Sequence, residues 1–91
     1  MTTEINYSCL PEHMREGMRL YIENGIPPGS FQRAVLSNDL MESFRRADDV
    51  NSYAMRDYAV FLTCEAPCGC FGSPEHVKDW IAQGGLRGLS G

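Results

Sequence analysis

The sequence predicts an all-α fold, and three observations predict it. Apolar residues recur at spacings of three and four, as in Met14, Met18, Tyr21 and Ile22, which gathers them on one face of a 3.6-residue helix. Start and stop signals bracket such runs: Pro11-Glu12 before the first and Gly25 after it, Ser73-Pro74-Glu75 before the last and Gly84-Gly85 after it. No stretch reads convincingly as a strand. The expected architecture is a compact bundle of four to five short helices around a central helix near residues 50–65. It forms a single helical domain over 1–91, with loose ends at 1–8 and 86–91.

Each element has its own justification. Pro11 suits the first turn of a helix, where its missing N–H costs nothing, and Glu12 complements the helix dipole there. This first helix runs over roughly 11–24. Gly17 inside it costs about 1 kcal/mol against Ala, which leaves open a close helix contact or a mere blemish. Ile26-Pro27-Pro28 cannot be helical, because each Pro pushes the residue before it toward extended geometry. Ile26 is expected to plug into the core. Gly29 or Ser30 caps a short second helix whose buried side carries Phe31, Ala34, Val35 and, at its end, Leu36.

Ser37-Asn38-Asp39 restarts the chain. Asp39 with Glu42 has the spacing of a capping box, and Leu40, Met41, Phe44 and Ala47 form the apolar side of a third helix. Asp48-Asp49 opens the central helix, Val50 to Glu65. Its second half, Tyr58 to Leu62, is apolar almost all round and so reads as buried. Asp57 falls on the apolar stripe between Tyr53 and Phe61. A buried carboxylate there needs Arg33, Arg45, Arg46 or a helix N-terminus as partner; the favoured reading puts Asp57 at the stripe's edge in water. After a turn-rich loop at 67–72, Ser73 at N-cap and Pro74 at N1 start the last helix, with Val77, Trp80 and Ile81 on its apolar face.

Composition narrows the function classes. The net charge is −4, and of eight basic residues only Lys78 is a lysine. That is the wrong balance for general nucleic-acid binding, which needs many phosphate-neutralising cations, although a few Arg and a helix start could still hold one small anion. No apolar run approaches ~18 residues, so no membrane span is expected. The N-terminus has no basic segment followed by an apolar run, so the expected compartment is a cytoplasm, with the four Cys as thiols.

Cys64, Cys68 and Cys70 are spaced C-x3-C-x-C, with His76 six residues on. Zinc favours four ligands on two paired turns, whereas these crowd one loop, and Cys9 and His13 could join only through the fold. Plain thiols are favoured over a zinc-stabilised module, and no metal or cofactor is assigned. The two His come with no nucleophile or metal-ligand fingerprint, so no catalytic residue is assigned and the chain is expected not to be an enzyme. Helix starts at Gly29-Ser30, Ser37-Asn38 and Gly72-Ser73 expose N–H groups that suit phosphate or carboxylate. The candidate ligand-binding set is therefore Gly29, Ser30, Phe31, Arg33, Asn38, Arg46, Ser73 and Trp80. Ser30 and Ser73 would cap and donate, Arg33 and Arg46 would neutralise charge, and Phe31 or Trp80 would stack. The bland alternative is that these caps only cap. Five Met and four Tyr could also form an oligomer surface.

Two segments carry a resemblance. Leu10-Pro-Glu-His-Met-Arg-Glu-Gly-Met-Arg-Leu-Tyr-Ile-Glu-Asn-Gly-Ile-Pro-Pro-Gly-Ser-Phe-Gln-Arg-Ala-Val-Leu-Ser-Asn-Asp-Leu40 resembles a family of small proteins encoded by bacteriophages and prophages. Glu65-Ala-Pro-Cys-Gly-Cys-Phe-Gly-Ser-Pro74, followed by Val77 and Trp80, resembles that family's second signature. The family has no assigned activity, and its members more often carry another residue where Cys64 and Cys68 stand here. The resemblance implies a host-directed role in the host bacterial cytoplasm, as a counter-defence or host-modulating factor that acts by binding. The leading expectation is capture of a small phosphorylated, nucleotide-like ligand at the helix starts. The runner-up is a protein–protein inhibitor of a host protein, and a homo-oligomer is also open.

Overall fold

The computed structural model describes residues 5–90, except for the side chains of Cys68, Leu89 and Ser90. It is all-α: the described residues contain seven α-helices, one 3₁₀ turn and no strand. α1, Glu12–Asn24, starts on Pro11 and stops on Gly25, whose φ of 73° is the left-handed conformation that glycine adopts without a Cβ penalty. The N–H groups of Gly25 and Ile26 satisfy the Tyr21 and Leu20 carbonyls at 2.9 and 3.3 Å.

α2 is Ser30–Leu36, with Gly29 rather than Ser30 as its N-cap. It ends in a Schellman turn: Asn38 is left-handed (φ 63°), its N–H bonds the Val35 carbonyl at 3.1 Å, and the Asp39 N–H bonds the Ala34 carbonyl at 2.9 Å. The Asp39 carboxylate then accepts the Glu42 N–H at 3.1 Å and so caps α3, Leu40–Arg46. Only this half of the expected capping box forms. The Asp39 N–H is already spent on Ala34, and the Glu42 carboxylate turns outward to Arg45 and Arg46, each at 2.6 Å.

The central helix expected over residues 50–65 is two helices, α4 (Asp49–Tyr53) and α5 (Met55–Cys64), meeting at Ala54. Asp48 caps α4 by accepting the Asn51 N–H at 2.7 Å, and buried Asn51 accepts the Tyr58 hydroxyl at 3.0 Å. The Ala54 N–H is shared between the Val50 and Asn51 carbonyls at 3.1 Å each. This break turns Val50 and Tyr53 to solvent, 54% and 92% exposed, while Ala54, Tyr58, Phe61 and Leu62 stay inside. α5 is correspondingly one-sided: Ala59 and Val60 are exposed, and so is Asp57.

A 3₁₀ turn, Cys68–Cys70, leads to α6, Pro74–Gln83, where Ser73 Oγ accepts the His76 N–H at 3.2 Å. The chain then winds into α7, Gly85–Ser90, in place of the expected loose tail, and α7 lies against α1. Glycine makes that contact possible: a Cβ on Gly85 would stand 2.6 Å from the Gly25 nitrogen and 2.7 Å from the Ile22 carbonyl. At the other expected loose end, Ile5 and Tyr7 pack on the core. Tyr7 lies 5.5 Å from the Phe61 ring and donates to Glu23 at 3.1 Å. Residues 1–4 and 91 of those ends lie outside the described residues.

The core joins Leu10, Met18, Tyr21 and Ile22 to Phe31 and Leu36 of α2, Tyr58 and Phe61 of α5, and Val77 and Trp80 of α6. Gly17 serves a contact: it leaves room for Gln32, 2% exposed, whose amide donates to the Met14 carbonyl at 2.9 Å. Ile26 is 44% exposed instead of plugging into the core. The Trp80 indole and the backbone of Gly84 and Gly85 already fill the space beneath the end of α1. No described helix is long and apolar enough to cross a membrane.

Candidate functional site

The predicted ligand-binding residues do not converge. Gly29 and Ser30 are exposed at the start of α2. The start of α6 packs at the opposite end of that helix, where the Gly72 N–H donates to the Leu36 carbonyl at 2.8 Å. Seven helical residues separate the two starts by roughly 10 Å along the axis. Ser73 is engaged locally: its Oγ holds the His76 N–H and lies 2.7 Å from His76 Nδ1. Arg46 is ion-paired to Glu42, and Arg33 is exposed with no ion pair among the described residues. Phe31 is buried edge-on to Tyr58, with ring centroids 5.2 Å apart. Trp80 is 4% exposed and donates its indole N–H to the Tyr21 and Ile22 carbonyls at 3.2 and 3.0 Å. Phe31 and Trp80 therefore offer little open ring face for stacking. Asn38 alone of the set lines the cavity described next.

That cavity is a groove of about 470 Å³ between α3 and α5. One wall is the Leu40, Ser43 and Phe44 face of α3; the other is Met55, Arg56, Ala59 and Thr63 of α5. Val35, Tyr58, Leu62 and Phe71 form the floor. The helices stand apart because α3 is bound to α2 by the Schellman turn and packs chiefly there, while the Tyr58 and Phe61 face of α5 is held by the core. Leu40 is 62% exposed and Phe44 49%, with Met41 beside them at 75%. Clustered apolar exposure rimmed by polar residues marks an interaction surface rather than a scatter of single side chains.

The polar groups in the lining are largely satisfied from within. The Ser43 hydroxyl donates to the Asp39 carbonyl at 2.6 Å, Thr63 donates to Ala59 at 2.9 Å, and Tyr58 donates to Asn51. The Asp39 carboxylate caps α3. Burial pushes the Tyr58 hydroxyl well above its ordinary value of 10, so it remains a neutral donor. Arg56 and Asn38 are the exceptions: both are exposed and line the groove, and among the described residues Arg56 has no ion pair and the Asn38 side chain no hydrogen bond.

Other candidate chemistry is dispersed. His13 and Asp48 are 3.2 Å apart, both half-exposed, and tie α1 to the start of α4. The hydrogen bond from the Asn51 N–H, with His13 adding to it, holds the Asp48 carboxyl below its ordinary 3.8. Cys9 and Cys64 are exposed thiols and Cys70 is buried; burial pushes the Cys9 thiol up, which makes it a weaker nucleophile. Among the described residues no group of three His, Cys, Asp or Glu could hold a metal ion, and the Cys68 side chain lies outside them.

Sequence reasoning misses the groove because Leu40, Met41 and Phe44 read only as the apolar side of α3, with nothing to say what covers it. The available signal is the Met and aromatic surplus, Met41, Phe44 and Tyr53 among it, which by itself suggests only an oligomer surface. Fold and site together define a class: an all-α protein with an open apolar groove between two helices. Comparison with protein-family models, with curated proteins and with solved structures gave no match.

Proposed function

We propose that this chain is a non-enzymatic binding protein of phage type, a host-modulating or counter-defence factor that engages a host protein through the α3–α5 groove. The observation that carries the proposal is the groove itself: about 470 Å³ of mostly apolar space, with Leu40 and Phe44 exposed along one side. Apolar surface of this kind gains free energy when a partner covers it, at ~25 cal/mol per Å².

Capture of a phosphorylated ligand at the helix starts is the weaker reading. It needs Ser30, Arg33, Ser73 and Trp80 around one volume, and the length of α2 and the burial of Trp80 oppose that.

Ala59→Glu tests the proposal, because Ala59 is exposed and lines the groove, so a carboxylate there blocks docking without disturbing the core. Native mass spectrometry on the chain isolated from producing cells should show a stoichiometric protein complex that the variant loses. Lys78→Glu, on the exposed surface of α6, should retain it. A complex that survives Ala59→Glu, or a wild-type chain without a protein partner, overturns the groove reading. Nucleotide heats in titration calorimetry that disappear in Arg33→Ala would install the phosphorylated-ligand reading instead.

A further inference from the structure

The groove has the form of a vacant helix position. Its two walls are helices, each presenting residues three and four apart: Leu40, Ser43 and Phe44 on α3, and Met55, Ala59 and Thr63 on α5. Residues at this spacing lie along one helix face. Two such faces turned toward a shared gap over an apolar floor form a seat for a third helix, which lays its own apolar stripe between them. Peptide addition to a sheet edge has no basis here, since the described residues contain no strand.

Charge then selects the kind of helix. Among the described lining residues only Asp39 and Arg56 are charged, and one oxygen of the Asp39 carboxylate already accepts from the N-terminus of α3. Ser43, Thr63 and Tyr58 bond within the chain. The lining thus offers an incoming segment apolar surface, the exposed Asn38 amide, a carboxylate already capping α3, and one cation with no ion pair among the described residues. A basic segment would meet Arg56 with like-charge repulsion as it buries the guanidinium's surroundings, whereas an acidic one would neutralise it where water is being excluded. The guanidinium presents a planar fork that fits a carboxylate with two hydrogen bonds.

We infer that the groove accepts an amphipathic helix of a partner protein bearing apolar anchors at i, i+4 and i+7 and an acidic residue that pairs with Arg56. This rests on the protein-binding reading above and names the chemistry of the partner segment.

The probes are three fluorescently labelled helical peptides. One has Leu at i, i+4 and i+7 with Glu flanking the stripe, the second has Lys in place of Glu, and the third has Ser in place of Leu. Anisotropy titrations against the full chain should show the acidic Leu peptide binding at least ~10-fold more tightly than the basic one, a difference of about 1.4 kcal/mol. The Ser peptide should not bind. Arg56→Glu should reverse the order of the two charged peptides, and Ala59→Glu should abolish binding of both. Circular dichroism verifies that each variant stays helical.

Equal binding of the acidic and basic peptides, no binding of either, or an unchanged order in Arg56→Glu overturns the inference. Concentration-dependent dimerisation that Ala59→Glu abolishes would also overturn it, by assigning the groove to a second copy of the chain. A stoichiometric complex lost in Ala59→Glu but paired with charge-indifferent peptides would leave the protein-binding proposal standing and remove only this one.

Discussion

Tyr21 and Trp80 tie the end of α1 to two other parts of the chain. The Tyr21 hydroxyl donates to the Cys70 carbonyl at 2.6 Å, and the Trp80 indole donates back to the Tyr21 and Ile22 carbonyls. A buried hydrogen bond is worth little net, but losing one partner leaves the other with its desolvation cost. Tyr21→Phe keeps the ring and removes only the donor to Cys70. It should lower unfolding free energy by ~1–3 kcal/mol in urea titrations with an unchanged slope; a change within error would mean that this bond contributes nothing. Burial also raises the Tyr21 ionisation above its ordinary value of 10. Its contribution is therefore complete below that value and is lost as pH rises through the raised one.

At the scale of elements, the joints carry the information. Gly25 and Gly84 are both left-handed stops, at φ 73° and 85°, and they meet: a Cβ on Gly25 would stand 2.7 Å from Gly84 Cα and from the Gly85 nitrogen. A side chain there must overcome both the backbone strain and a contact with backbone that cannot rotate away. Gly25→Ala should cost well over ~1 kcal/mol in thermal unfolding, beyond the usual penalty for Ala at positive φ. Gly29→Ser is the contrast. Gly29 sits in extended geometry at an N-cap, and a Cβ there would have nothing within 4 Å, so Ser should change stability by only a few tenths of a kcal/mol, in the favourable direction. Equal losses at the two sites would show that the α1–α7 crossing is not what Gly25 serves.

For the whole molecule, the radius of gyration is 12.2 Å, close to the ~12 Å of a compact chain of this length. Contacts between sequence-distant elements hold it there, and one is electrostatic: His13 and Asp48, 35 positions apart, join α1 to α4. The folded Asp48 pKa lies below 3.8, and that of Glu42, held chiefly by Arg46, lies below 4.5. For depressed carboxylates the stabilisation is present above the unfolded value and disappears as pH falls through the folded one. The melting temperature should therefore drop as the solution is acidified past these values. Asp48→Asn should melt lower than wild type at pH 7 and converge with it in acid. Parallel curves at all pH values would exclude Asp48 from the acid response.

Helicity and most of the joints, though neither the break at Ala54 nor α7, are legible in the amino-acid sequence, because capping and turn chemistry are local. Asp39, Ser73, Gly25 and Gly84 act within a few residues of themselves, and each terminates or starts the helix that its neighbours imply. Periodicity likewise identifies an apolar face, but not what covers it. Leu40 and Phe44 have the same spacing as Met18 and Ile22, yet the first pair borders an open groove while the second is fully buried. That difference arises from packing between elements. The Schellman turn fastens α3 to α2, and the break at Ala54 separates α4 from α5, so α3 and α5 are left facing one another across space that neither fills. The same long-range packing put the Trp80 indole under the end of α1 and left Arg56 in the groove with no ion pair among the described residues, and contacts at such sequence separation leave no trace in local pattern.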